Sequence, residues 1–177
     1  TEHQTDLIIA CFGMGESFAG EAGLPRFRSN LEAFIATHAG KKYNGESEVR
    51  LILVSPIATE DLGKLTPASE KRNGELEAYT GVMREVASNT NLPFVDLFKP
   101  SLDLMGDRDK IHLTVNGVTL NRLGYWAISN VFFEQLTGEI RQPWKLNIDA
   151  NSLTGISDGV ELSTIDTENN ALSFSVT

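Results

Sequence analysis

The sequence predicts an α/β domain on a small parallel sheet, followed by a β-rich segment. Three observations point there. An unbroken apolar run at Asp6–Gly13 and the strand-like stretch Val49–Ile57 suit strands buried on both faces. Stretches with apolar residues at helical spacing separate and follow them. Beyond Trp144 the apolar period shortens to two. Buried strands alternating with helices imply parallel pairing through right-handed crossovers, with helices on both faces of the sheet.

The first run ends in Gly13, and Pro25 opens a helix with Phe27, Leu31, Phe34, Ile35 and His38 on one face. "KKYNGESE" is a polar loop, and "VRLILVSPI" (49–57) is a second strand stopped by Pro56. A second helix is expected from about Ala68 to Ser88, with Leu76, Tyr79, Met83 and Val86 inward. "LPFVDLF" (92–98) forms a third short strand, and after a loop "LGYWAISNVFFEQL" (123–136) forms a third helix stopped by Gly138. In the β-rich part, Leu146/Ile148, Val160/Leu162 and Leu172/Phe174/Val176 alternate, with turn residues at Asp158-Gly159 and Asn169-Asn170. The division expected is 1–139 for the α/β part and 140–177 for the start of a second module. Both ends read as those of a piece of a longer protein, since Thr1 lies close to the first strand and "ALSFSVT" ends in mid-alternation.

The 177 residues carry a net charge of −9, which argues against nucleic acid and anionic membrane surfaces as partners. No apolar run reaches the roughly 18 residues of a membrane span. The lone Cys11 excludes an internal disulfide and reads as a buried structural thiol. No His, Cys and carboxylate cluster has metal-ligand spacing, and no cofactor is expected. Gly13-Met14-Gly15 starts a dinucleotide fingerprint, but Phe18 stands where the third glycine belongs. Gly155-Ile156-Ser157-Asp158-Gly159 matches a nucleophile elbow in letters only: its surroundings alternate like a hairpin, and His3, His38 and His112 all lie upstream. His38 reads as a packing histidine, and His3 carries no signal.

Ligands of α/β sheets bind at the carboxyl ends of the strands. Those ends here are "GMGES" (13–17), "SPIATED" (55–61), and "DLFKPS" (96–101) with the loop beyond it. That loop holds Asp109-Lys110-Ile111-His112-Leu113-Thr114, an acid three residues before a histidine. The same phrase recurs as Asn116-Gly117-Val118-Thr119-Leu120-Asn121. A carboxylate so placed can hold imidazole in the tautomer that takes a proton from serine.

With these blocks the chain resembles the SGNH or GDSL hydrolases, serine esterases and lipases on a flavodoxin-like sheet. "DLIIACFGMGESFAGEAGLPRF" resembles the block in which strand, glycine and an oxyanion-hole asparagine precede a helix. "DKIHLTVNG" or "LTVNGVTLNRLGYW" resembles the last block, acid-x-x-His followed by a Gly-Tyr pair. The likeness spans about residues 5 to 137. It implies a three-layer α/β/α architecture in which the three strands are the contiguous half 3-4-5 of the family's order 2-1-3-4-5. The Gly-Asp-Ser block with the nucleophile then belongs to a missing N-terminal half of the same domain. No nucleophile is assigned in this segment, Ser17 and Ser55 being read as ordinary loop residues. The resemblance also suggests a secreted, extracytoplasmic bacterial setting.

The implied activity is hydrolysis of acyl or O-acetyl esters of small molecules or glycans. His112 would be the base, Asp109 its orienting acid, and N–H groups at Gly13 and Gly15 the oxyanion hole. Two departures leave the reading divided. The oxyanion asparagine falls on Gly15. Counting back from Gly124-Tyr125, the acid and base positions fall on Asn116 and Thr119, neither able to transfer the proton. Counting from His112 instead requires the loop to absorb seven further residues. The alternative to an enzyme is an inactive pseudo-hydrolase or binding domain within a larger protein.

Overall fold

A computed structural model describes residues 3–106, 111–140, 145–168 and 171–176. The chain divides into two compact units, Thr1–Glu139 and Ile140–Thr177. In the first, β1 (Leu7–Cys11), β2 (Arg50–Val54) and β3 (Phe94–Val95) form a parallel sheet in the order β1-β2-β3. Leu7 pairs with Arg50 and Cys11 with Val54, while β3 meets β2 at Leu53↔Phe94 and Val54↔Val95.

Helix α1 (Leu24–His38) begins with Pro25 in its first turn, where a missing N–H costs nothing. Helix α2 (Ser69–Thr90) ends on Asn91 in the left-handed conformation. Both pack on one face of the sheet: Phe27, Leu31 and Ile35 of α1 and Tyr79, Val82, Met83 and Val86 of α2 meet Ala10, Leu51 and Leu53. The opposite face is covered at β2 and β3 by helix α4 (Arg122–Thr137), whose Ile128, Val131 and Phe132 lie against Ile52, Val54 and Val95. His38 packs edge-on to Phe34, and its Nδ1 lies 2.8 Å from the Tyr43 hydroxyl.

Two expectations are corrected. First, β1 is not buried on both faces: Leu7, Ile9 and Cys11 are exposed, so the thiol lies at the surface. Alternation along the strand sends Ile8 and Ala10 into the α1/α2 core and their neighbours to a face that α4 leaves uncovered. Second, the third strand is only two residues long. Asp96 breaks it, because its carboxylate accepts from the N–H groups of Phe98 and Lys99, opening an unanticipated helix α3 (Phe98–Met105). The chain after β1 winds through short 3-10 turns at Glu16–Ala19 and Glu21–Gly23 before α1.

In the second unit, β4 (Lys145–Asp149) pairs antiparallel with β5 (Thr154–Asp158). Likewise β6 (Leu162–Glu168) pairs with β7 (Ala171–Val176). The glycine-serine-glycine stretch at 155–159 is thus a strand and the bend after it, with Gly159 at φ +76° and no helix following. The expected turn at Asn169-Asn170 lies outside the described residues.

Candidate functional site

The loops after the three strands meet at the carboxyl edge of the sheet. Met14 of the first loop, Ile57 and Ala58 of the second, and Leu113 and Leu120 of the third share one apolar cluster with Leu76, Phe98 and Met105. That cluster brings the two regions singled out in the sequence, 13–17 and 112–121, onto common ground.

The first loop is held from within and from α2. Gly13 has φ +98°, and a Cβ there would stand 3.2 Å from Pro56 Cδ, so the turn needs glycine on two counts. Its carbonyl accepts from Ser17 N at 3.1 Å. Arg72 of α2 reaches in to donate to Met14 O at 2.6 Å and Ser17 Oγ at 2.7 Å, with its guanidinium 3.7 Å above the Phe18 ring. Ser17 is fully buried and spends its hydroxyl on Met14 O, so it is a structural residue. The Gly13 N–H donates to the Glu16 carboxylate at 3.0 Å. A Cβ on Gly15 would meet nothing within 4 Å, so no neighbour occupies the space of a side chain there.

The second loop is pinned by three elements. Ser55 is buried and accepts from Leu97 N and Phe98 N at 2.8 and 3.0 Å, which makes it a linchpin of the β3–α3 turn. Ser101 of α3 accepts from Ala58 N at 2.7 Å, and Asn73 of α2 clasps both backbone groups of Thr59. What this fixed loop delivers is Glu60, only 3% exposed. One Glu60 oxygen accepts from Leu113 N at 3.0 Å and lies 3.2 Å from His112 Nδ1. The other accepts from Thr114 N at 2.8 Å and Thr114 Oγ1 at 2.5 Å. Burial pushes the Glu60 carboxyl up, but the hydrogen bonds from Thr114, Leu113 and His112 outweigh it and hold the group below the ordinary glutamate value.

The third loop is a small hairpin. Thr114 bridges to Leu120, Val115 N donates to Thr119 O at 2.9 Å, and Asn121 N donates to Leu113 O at 2.9 Å. At its tip Asn116 Oδ1 accepts from Val118 N and Thr119 N at 3.2 and 2.7 Å, an asparagine turn that needs no charge. Gly117, at φ +89°, tucks against the second loop, where its carbonyl accepts from Glu60 N at 2.8 Å. Asn121 then caps α4: its Oδ1 accepts from Gly124 N at 2.9 Å and its Nδ2 donates to His112 O at 2.7 Å. His112 is nine residues from the cap along the chain, yet one hydrogen bond from it in space.

Of the site residues expected, Gly13, Gly15, His112, Asn116 and Thr119 therefore lie at this edge, and Asp109 lies outside the described residues. The His112 side chain is half exposed, and the carboxylate at its Nδ1 is Glu60. Sequence reasoning missed Glu60. Its only signal was an acid at the carboxyl end of the central strand, outside any motif. Among the described residues no group of His, Cys, Asp and Glu could hold a metal ion, and no helix is long and apolar enough to cross a membrane.

No protein-family model and no curated protein matches the chain. Solved structures do. A lipase/acylhydrolase from Enterococcus faecalis superposes at TM-score 0.53 and 20% identity, over 78% of this chain and 65% of its own. A catalytic mutant of an acetylxylan esterase from Geobacillus stearothermophilus gives TM-score 0.57 and 15% identity over 80% and 64%. A gut microbial diltiazem-metabolizing enzyme gives TM-score 0.56 and 15% identity over 97% of this chain and 42% of its own. The chain thus spans between about two fifths and two thirds of the length of these structures. The chain shares the α/β fold of these hydrolase structures: a three-stranded parallel sheet with helices, and additional C-terminal strands.

Proposed function

We propose that the chain is the C-terminal part of an SGNH/GDSL-type serine ester hydrolase, acting on acyl or O-acetyl esters of small molecules or glycans. The supporting observation is His112, half exposed at the carboxyl edge of the sheet with its Nδ1 against the buried Glu60 carboxylate. In this reading a serine hydroxyl from a preceding part of the same domain attacks the ester carbonyl carbon. The hydroxyl proton passes to His112 Nε2, and the carbonyl π pair moves onto oxygen. Backbone N–H groups of the Gly13–Gly15 turn would receive that oxyanion once Glu16 has released Gly13. Collapse of the intermediate expels the alcohol, which takes the proton from His112, and water repeats the sequence on the acyl-enzyme. Asp109, the acid expected three residues before the base, is the alternative to Glu60 as the carboxylate that orients the ring. The names of the similar structures, acylhydrolase and acetylxylan esterase, agree with the substrate class.

A second reading has its own observation. The Asn116–Thr119 turn occupies the approach to the α4 cap with groups unable to carry a proton, as a non-catalytic binding domain would allow. The separating experiment uses the protein extended upstream through the preceding strands, with p-nitrophenyl acetate as substrate. Turnover lost in His112→Ala and kept in Thr119→Ala supports the hydrolase with His112 as base. Turnover untouched by His112→Ala rejects that base. Absence of both turnover and labelling by a fluorophosphonate supports the binding domain.

A further inference from the structure

We propose that Glu60 is the carboxylate that holds His112 in its Nδ1–H tautomer, leaving Nε2 bare as the proton acceptor. The argument begins with Glu60 itself. A carboxylate has acceptors only, so the short approach of Oε1 to Nδ1 requires the ring to donate from that nitrogen. The carboxylate is not free to turn away, because both its oxygens are engaged by Leu113 and Thr114, the two residues following the histidine. Imidazole and carboxylate are therefore locked to one short segment. Asn121 fixes the same segment from the other side through His112 O, at the head of α4.

The energetics run the same way. Glu60 is buried, and among the described residues the ion-pair contact to this carboxylate comes from His112. Hydrogen bonds keep it ionised, so it remains an acceptor through the neutral range. Glu60 touches no substrate in this scheme. It is a positioning residue acting through His112. Its catalytic meaning rests on the hydrolase reading, whereas the tautomer it imposes does not.

The test is made on this chain by two-bond proton–nitrogen correlation of the histidine rings, at a pH where imidazole is neutral. His38, whose Nδ1 meets Tyr43 far from Glu60, serves as the internal reference. The expected spectrum shows His112 with a protonated Nδ1 and a bare Nε2. Free histidine prefers the opposite. In Glu60→Ala, which removes the acceptor, the His112 pattern is expected to revert to mainly Nε2–H while that of His38 stays unchanged. A wild-type His112 that is mainly Nε2–H overturns the proposal, and that arm decides even if the variant does not fold. An unchanged Nδ1–H tautomer in a folded Glu60→Ala overturns it as well. An extended protein that hydrolyses nothing while His112 keeps its Nδ1–H form would defeat the hydrolase reading alone.

Discussion

Replacing Glu60 by alanine should strike the loop junction harder than any surface carboxylate. The side chain satisfies two backbone donors, Leu113 N and Thr114 N, and the Thr114 hydroxyl. Leu113 and Thr114 are both buried. An unsatisfied buried N–H costs about 1–3 kcal/mol, so the pair is worth roughly 2–6 kcal/mol. Domains of ordinary stability hold about 5–15 kcal/mol in total. At roughly 2–4 °C per kcal/mol for a chain of this size, the expected fall in Tm is on the order of 10 °C. Differential scanning calorimetry reads the shift, and amide exchange should localise it, with Leu113 and Thr114 losing protection while the α1/α2 core keeps its own. The pH dependence has a definite sign. The folded carboxyl is held below its unfolded value, so its contribution is present above the ordinary glutamate pKa of about 4.3 and is lost as pH falls through the folded one. Wild-type stability should drop over that acid window, and Glu60→Ala should flatten the drop. A Tm within about 2 °C of wild type, with unchanged exchange at Leu113 and Thr114, would refute the claim that this carboxylate ties the two loops together.

Two glycines should respond oppositely to alanine. At Gly124 a Cβ would fall 2.0 Å from Leu113 O, so overpacking should cost about 1–3 kcal/mol in a denaturant melt; at Gly74, exposed within α2 with nothing inside 4 Å, alanine should add about 0.5–1 kcal/mol. Cys11 is exposed, but partial burial against the sheet raises its thiol above the ordinary value. Iodoacetamide should therefore modify it more slowly at pH 7 than a small free thiol, with the rate climbing in alkali. The open β1 edge and its exposed Leu7 and Ile9 should drive self-association, visible by ultracentrifugation and reduced in Ile9→Lys. A monomeric wild type would reject that last expectation.

The scaffold was legible where periodicity and burial coincide. The α1 stripe Phe27, Leu31, Ile35 and the α2 stripe Leu76, Tyr79, Met83, Val86 are buried as their spacing implies. The parallel strands were legible because runs such as "LILV" contain no polar residue. What periodicity cannot show is which neighbours are present. β1 carries a run suited to burial on both faces, and only the sheet order shows that one face lies open. Helix α3 escaped because its start depends on Asp96 accepting from two N–H groups ahead of it, within the apolar stretch "LPFVDLF" that reads as a strand. Glu60 escaped because its role depends on partners 52 to 54 residues away, a pairing that no local pattern records.

The doubled phrase was the hardest part to read, and the hairpin shows why. A one-dimensional count treats the seven-residue repeat as a choice between two registers, with either His112 or Thr119 in the working place. In three dimensions the inserted residues fold back on themselves between Thr114 and Leu120, so both ends of the repeat arrive beside the α4 cap. The tip is closed by Asn116, which serves the turn as well as an aspartate would and leaves Thr119 without any charged neighbour among its hydrogen-bond partners. The His112 arm is closed instead by Glu60, an acid from a different strand end. The two copies have thus divided the roles of one motif. The asparagine copy supplies the turn geometry, and the histidine copy supplies the titratable ring with a buried carboxylate behind it. Such a group is costly to bury unless its partners are organised around it, as Leu113, Thr114 and His112 are here.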